Sequence, residues 1–382
     1  HTLSLIFIFT YAQSLPLLSH SYLSVTDNQK YVGKIGVSSD IKYILQWTSE
    51  TDSPFDEMRV GRIAFYENNC EYNNCYVTSD RNFLPNQDDF DAVAFNAKSL
   101  AYRTWTSLPK KRTNRQKYIF VSTESSHYYP ICYPVLDNYF NWTWTYRLDS
   151  DLLWGYFTVY NLNGSAVGPA VDMKWPEEMK PIDDVLVKKL STKTKAVAWF
   201  VSNCNALSNR LEFAKEIENE LNKYGWTVDS YGTCGKYTCK RFESECDSIL
   251  QRDYFFYLAF ENSFAEDYVT EKVLTALQNY AVPIVYGAAS YSRYLFLPTG
   301  SYLDSAREGN ATALAKRINE IITKRELYHD FHRWRNHFQF VSTDENRNFC
   351  KLCAKLNNET AVKEITLKEN LREWWNGAYG KC

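Results

Sequence analysis

The stretch Phe260-Glu261-Asn262-Ser263-Phe264-Ala265-Glu266-Asp267-Tyr268-Val269-Thr270-Glu271-Lys272 holds the densest chemistry in this chain. An apolar run ends at Phe260 and a helical pattern begins near Val269, so a polar turn joins a buried strand to a helix. Glu271 and Lys272 then stand side by side at the helix start. An ammonium there suits phosphate oxygens, because free N–H groups and the positive dipole end point to the same place. A carboxylate cannot favour phosphate, but it accepts hydrogen bonds from ribose hydroxyls. Alone, a Glu-Lys pair would be an ordinary exposed ion pair. Within this turn it suits a sugar nucleotide. Arg210, on a helix after another turn, could reach the same phosphates with a planar fork.

The elements that must position these groups are clearest in the second half. Ala196–Val201 is an apolar run of buried-strand length, followed by the turn Ser202-Asn203-Cys204-Asn205. Leu211, Ala214, Ile217 and Leu221 repeat at helical spacing. Trp226–Tyr231, Phe255–Phe260 and Val282–Tyr286 read as strands, and Val269–Tyr280 and Ala311–Ile322 as helices. Strands alternating with helices predict a parallel, doubly wound sheet. Ligands of such sheets sit beyond the carboxyl ends of the strands, where Asn203, Asn262 and Ser263 fall. In the first half, Ile41–Leu45, Cys75–Val77, Ala92–Phe95 and Tyr118–Val121 read as short strands. The segment Asp183 to Lys195, with its paired acids and its lysines, reads as an exposed connector. The expected division is 1–30 as an N-terminal segment, 31–185 and 186–345 as two α/β domains, and 346–382 as a tail.

Bulk properties narrow the class. The chain has 382 residues, 45% hydrophobic and 23% charged, which excludes a disordered chain. A net charge of −2 gives no electrostatic case for nucleic acid. The run Lys110-Lys111-Arg112…Arg115…Lys117 reads as a solvated loop before a strand. Aromatics reach 16%, which leans toward carbohydrate without locating a site. Ten cysteines and sequons at Asn141, Asn163, Asn310 and Asn358 together favour the secretory pathway. One CxxC, Cys350 to Cys353, has no second pair to complete a zinc set. The apolar start, Leu3 to Phe9 and on to Leu17-Leu18, is broken by Gln13, Ser14 and Pro16. It fits a signal or anchor remnant, or a packed segment, better than a full span. No glycine-rich phosphate loop occurs, which weakens kinase and dehydrogenase readings.

In order along the chain stand VSNC…NRLEF at 201–213, YGTCG at 231–235, DYFFYLAFENS…DYVTEK at 253–272 and VPIVYG at 282–287. Together they resemble the donor domain of the α1,3/4-fucosyltransferase family (glycosyltransferase family 10). The resemblance runs over roughly residues 60 to 355. It implies two Rossmann-like α/β domains facing a cleft, the glycosyltransferase B architecture, and GDP-fucose as donor. It implies that Arg210 and Lys272 hold the diphosphate and Glu271 the ribose. Asn203, Asn262, Ser263 and Tyr268 would complete the donor pocket. No cofactor is required, no metal ligand set is expected, and a divalent cation enters at most as a stimulant.

Residues 73–96 resemble the family's segment in which a cysteine precedes a T-x-D/N-R motif. The strand Tyr118–Val121 then delivers Glu124 at its carboxyl end. Inverting sugar transfer needs one base for the attacking hydroxyl, while diphosphate leaves without a general acid. By resemblance Glu124 is that base, although Ser125-Ser126 departs from the usual tail of the segment. His127 is the rival base. Asn141 to Asp151 resembles the family's N-x-T…Y-R-x-D-S-D segment, which places Arg147 or Asp151 near the fucose or in shaping the cleft. Asp149-Ser150-Asp151 is formally a metal-clamp spacing, but Arg and Lys handle phosphate in this fold. His329 and His332 read as surface residues.

By resemblance, Cys350 and Cys353 would be tied to cysteines of the first domain, with Cys70 and Cys75 the leading candidates. Cys204, Cys234, Cys239 and Cys246 cluster in the donor domain and are candidates to pair among themselves. The expected activity is transfer of L-fucose from GDP-fucose to the 3-hydroxyl of N-acetylglucosamine in a glycoprotein N-glycan, in the Golgi lumen. VSNC…NRL looks closer to members acting on the N-glycan core than to Lewis-type members acting on lactosamine. Any membrane contact would be through an N-terminal anchor. Two other classes remain. A glycoside hydrolase could pair Glu124 with Asp149 or Asp151. An inactive carbohydrate-binding protein would keep the fold without turnover.

Overall fold

The computed structural model describes residues 40–48, 51, 54–102, 107–109, 111–238, 244–291, 295–343 and 348–382. Residues 41–382 form one compact unit. The expected N-terminal anchor or signal remnant lies outside the described residues. Among those described, no helix is long and apolar enough to cross a membrane.

The first sheet contains β1 (Lys42–Gln46), β2 (Cys75–Thr78), β3 (Ala92–Asn96), β4 (Lys117–Ser122), β5 (Trp142–Thr145) and β6 (Leu152–Leu153). Its order is β2-β1-β3-β4-β5-β6, with every neighbour parallel. Two further strands follow, β7 (Phe157–Asn161) and β8 (Ala166–Gly168). The second sheet contains β9 (Lys195–Phe200), β10 (Val228–Tyr231), β11 (Tyr254–Phe260), β12 (Val282–Tyr286) and β13 (Leu303–Asp304). It is also parallel, in the order β10-β9-β11-β12-β13. All seven residues of β11 are buried, as expected of a central parallel strand with both faces covered. Each of its fully buried Phe and Leu side chains stabilises the fold by about 1.5–3 kcal/mol.

Expected and observed strands differ by two residues or fewer at their ends. The helix expected over Val269–Tyr280 is shorter, Glu271–Gln278. Its start is delayed because the Thr270 amide and hydroxyl are held by Glu261 in an extended backbone. The Asp183–Lys195 connector is not simply exposed. Asp183 caps a helix over Asp184–Leu190 through the Leu186 amide. Lys193 is fully buried, its ammonium donating to the carbonyls of Gln251 at 2.8 Å and Tyr254 at 2.7 Å.

The two sheets are joined by more than one crossing. β14 (Phe338–Ser342), from the end of the second half, pairs antiparallel with β7 from the first, giving a third sheet ordered β14-β7-β8. The chain then returns to the first half. The helix Asn348–Asn357 packs Phe349, Leu352 and Leu356 against Ile44, Val77 and Trp144. Cys350 is bonded to Cys70 and Cys353 to Cys75. Closing loops this long lowers the unfolded chain's free energy advantage by about 5 kcal/mol for the first bridge in the chain-entropy model. The second closes almost the same loop and adds far less. Cys204 is bonded to Cys234, and Cys132 to Cys382; the latter pairing carried no sequence signal. Cys246 is also disulfide-bonded, and Cys239 lies outside the described residues.

Three surface assignments are corrected. His332 is buried and its ring lies 4.9 Å from that of Tyr328, because the short helices after Thr323 fold their apolar face onto β11. Arg112 and Lys117 are not a solvated loop. Arg112 binds the Tyr139 carbonyl and the Asn141 side chain, and the buried Lys117 donates to the Glu364 carbonyl at 2.7 Å. Asn141 is buried rather than available as a glycosylation site. Its Oδ1 accepts from the Tyr118 amide at 2.9 Å and its Nδ2 donates to the Thr366 carbonyl at 3.0 Å.

Candidate active site

The carboxyl ends of β4, β9 and β11 open into a cavity of about 660 Å³, within the range of ordinary ligand sites. Glu124, Asn203, Arg210, Asn262, Tyr268, Glu271 and Lys272 all line it. Size alone does not identify the site. A cavity of about 1160 Å³ beside Trp175 and Trp334 contains none of these residues.

On the second-sheet side, Glu261 directly follows β11 as a fully buried carboxylate. It accepts from the Thr270 amide at 2.9 Å and the Thr270 hydroxyl at 2.8 Å, and pairs with the Lys272 ammonium at 3.0 Å. Burial pushes the Glu261 pKa up, against the pull of Lys272. Burial also opposes the Lys272 charge, but Glu261 and Glu271 outweigh it and hold the ammonium above its usual pKa. Glu271 pairs with Lys272 at 3.2 Å, its side chain 48% exposed. Partial desolvation works against its ionisation, yet Lys272 prevails and holds it below the ordinary carboxylate range. The Lys272 ammonium is thus not a free charge at the helix start. In the fold that charge is already shared by two carboxylates.

Arg210 starts the helix Arg210–Asn222, and its side chain is buried. One Nη donates to the Phe260 carbonyl at 2.6 Å, the other makes a 3.4 Å contact with the Asn203 carbonyl, and Nε has no acceptor among the described residues. Burial lowers its pKa, with Glu261 as the first opposing charge. A buried guanidinium short of acceptors fits an anionic group. The backbone nearby must also come close. Gly232 lines the cavity at φ +102°, and a Cβ there would meet the Val201 carbonyl oxygen at 2.6 Å.

Glu124 faces these groups from the end of β4. Its Oε1 accepts from the Tyr268 hydroxyl at 2.6 Å and from the Ser125 amide at 2.8 Å. Among the described residues, its Oε2 accepts only a 3.3 Å contact from Asn262 Nδ2. Oε1 is thus saturated, while Oε2 keeps capacity for an incoming hydroxyl.

The same constellation can be compared with known proteins. A model described as glycosyltransferase family 10 (fucosyltransferase), C-terminal, matches residues 190–374, and a fucosyltransferase N-terminal model matches 39–157. Alpha-(1,3)-fucosyltransferase C of Drosophila melanogaster is 34% identical over 311 residues, 81% of this chain and 71% of that protein. The chain belongs to glycosyltransferase family 10, the fucosyltransferases. Glycoprotein 3-alpha-L-fucosyltransferase A of the same organism is 30% identical, over 85% of this chain and 59% of that protein. A human 4-galactosyl-N-acetylglucosaminide 3-alpha-L-fucosyltransferase is 31% identical, over 84% and 80%. A crystal structure of an alpha1,3-fucosyltransferase with GDP-fucose aligns with a TM-score of 0.50 at 16% identity, covering 86% of this chain and 92% of that one. That likeness is one of fold: two parallel sheets facing a cleft, the glycosyltransferase B arrangement.

Within this family member, the expected site residues separate into two groups. Those named above as lining the cavity come together. Ser263 does not line it; its buried hydroxyl meets that of Ser125 at 2.6 Å and links the two halves. His127 accepts from the Phe264 amide at 3.4 Å, outside the cavity wall. Arg147 pairs with Asp149 at 2.9 Å and Glu266 at 3.1 Å and donates to the Trp374 carbonyl. Asp151 accepts from the Thr143 amide and hydroxyl. Both are engaged by these contacts inside the chain, and neither is among the residues lining the cavity. Among the described residues no cluster of three His, Cys, Asp or Glu side chains could hold a metal. Tyr156, Tyr257 and Asp247 also line the cavity and carried no usable sequence signal. Glu261 did carry one: an acid directly after an unbroken apolar strand must have a buried partner.

Proposed function

We propose that this fucosyltransferase moves L-fucose from GDP-fucose, with inversion, to the 3-hydroxyl of an N-acetylglucosamine in a glycoprotein glycan. The observation that carries this is the placement of Glu124 across one cavity from Arg210, Glu271 and Lys272. Arg210 and Lys272 would hold the diphosphate, and Glu271 the ribose hydroxyls. Glu124 Oε2 would accept the proton of the attacking hydroxyl as the C–O bond to fucose forms. As it forms, the bond from fucose to the GDP oxygen breaks on the opposite face, and its electrons go to a diphosphate stabilised by two cations. No general acid is needed.

The acceptor is proposed to be the N-glycan core. Support comes from the Cys204-containing turn, bonded to Cys234 beside the donor cavity. The relatives include both a glycoprotein 3-fucosyltransferase and lactosamine-type enzymes, so the Lewis-type acceptor is the second reading. Four disulfides among the described residues support an oxidising compartment, in keeping with the Golgi lumen.

The test is an activity screen with several sugar nucleotides and a panel of N-glycan and lactosamine acceptors. Transfer from GDP-fucose to core glycans is expected; transfer only from UDP-sugars would sink the reading. Glu124→Gln is expected to keep donor binding near normal and to stop transfer. Undiminished transfer by that variant would remove Glu124 as the base.

A further inference from the structure

The matched family span ends at residue 374, and the chain runs on to Cys382. This short extension is tied to the segment that follows Glu124 in the chain. Asn376 exchanges two hydrogen bonds with the backbone of Ile131, at 2.9 and 2.8 Å. Trp375 donates from its indole to the Tyr129 carbonyl at 2.8 Å, and Cys382 is bonded to Cys132. The segment that receives all these ties, 129–132, directly follows the stretch bearing Glu124 and His127. The tail is therefore held in place before any ligand arrives, which removes an ordering cost from binding.

Two groups beside Phe264, outside the donor cavity, have the chemistry to hold a sugar. Phe264 joins them: its amide donates to His127 Nδ1, and its ring lies 6.0 Å from that of Tyr379. An Nδ1 that accepts leaves the proton of a neutral imidazole on Nε2, as a donor. Burial, and then the charge of Lys381, hold the His127 pKa below its usual value, so the neutral form dominates near neutral pH. Tyr379 is only partly buried, and aromatic faces pack on the C–H surfaces of sugars.

We propose that the Tyr379 ring and His127 Nε2–H form an acceptor wall that holds the saccharide unit next to the N-acetylglucosamine receiving fucose. The proposal rests on the functional reading above. It assigns acceptor selection to a segment outside the matched family span, while donor handling stays with the cavity residues.

The test compares Tyr379→Ala, and a chain ended after Ala378 with Cys132→Ser, against the unmodified chain. Two acceptors are used: a core N-glycan oligosaccharide and a simple β-N-acetylglucosaminide. In both variants the oligosaccharide KM should rise about tenfold, equivalent to about 1.4 kcal/mol. The KM for the simple glycoside and for GDP-fucose should stay within about twofold. Calorimetric binding of GDP should be retained, which certifies the fold, and Tyr379→Phe should behave as the unmodified chain. An unchanged oligosaccharide KM, an equal rise for both acceptors, or lost GDP binding would overturn the wall. If the unmodified chain transfers no fucose from GDP-fucose, the functional reading itself falls. If it does and the variants match it, only the wall falls.

Discussion

Tyr268 donates a 2.6 Å hydrogen bond to Glu124 Oε1, so a residue of the nucleotide-side turn holds the carboxylate of the opposite sheet. The turn that carries Tyr268 belongs to both halves. Ala265 and Tyr268 pack in the core of the first half with Tyr146, Phe120 and Trp375, and Asp267 accepts from the Leu148 amide at 3.1 Å. The proposed base and the proposed donor site are therefore set by one piece of backbone.

This relationship changes what a Tyr268 variant should do. A donor-pocket role would raise the donor KM. A base-positioning role lowers turnover instead. A hydrogen bond to a charged group contributes about 1.5–3 kcal/mol, so Tyr268→Phe should reduce kcat roughly 10- to 100-fold with little change in donor KM. Steady-state kinetics with GDP-fucose varied would check this; a raised donor KM at full kcat would return Tyr268 to the donor pocket.

The second prediction separates the fold from the site at Lys272. Lys272→Ala leaves Glu261 buried with only Thr270 to satisfy it. Breaking a buried pair from one side costs about 3–5 kcal/mol, so urea unfolding should show a loss of that order together with lost GDP binding. Adding Glu261→Gln removes the stranded charge. The double variant should regain much of the stability and still fail to bind GDP in a calorimeter. Recovery of GDP binding would show that Lys272 is purely structural.

A third prediction concerns the sequons. Asn163, Asn310 and Asn358 are exposed, and where Asn310 and Asn358 cap helices they use only Oδ1. Asn141 uses both amide atoms inside the fold. Glycopeptide mass spectrometry of the secreted chain should find glycans at the three exposed sites and none at Asn141. A glycan on Asn141 in active material would contradict the buried pairing.

The contrast between Glu124 and Tyr268 indicates what a sequence can convey. β11 is visible because seven consecutive buried residues leave an unbroken apolar run. Arg210, Glu271 and Lys272 follow from their places just past strand ends. Periodicity reports which face is buried, not what a turn docks against. It could not reveal that Tyr268 crosses to Glu124, that Ser263 meets Ser125, or that Lys272 is already balanced by Glu261. The Cys132–Cys382 bridge was hidden for the same reason: its partners are 250 residues apart and belong to no shared pattern.

The last prediction follows from the correction at His332. Burial first, then the charges of Arg335, Lys193 and His329, hold its pKa well below the usual value. Lys193, pushed down to about 7 chiefly by burial, becomes charged as pH falls and adds to the opposition. Below about pH 6.5 the imidazole of the unfolded chain takes a proton, whereas the folded one stays neutral until far lower pH. The unfolded state then binds more protons, so stability falls as pH drops through this range. His332→Gln removes that titration while keeping an acceptor for Arg335, whose Nε lies 3.3 Å from His332 Nδ1. Urea midpoints measured near about pH 7.5 and about pH 5.5 should fall less in the variant than in the unmodified chain. An equal fall in both would show that the buried imidazole does not contribute to the acid sensitivity.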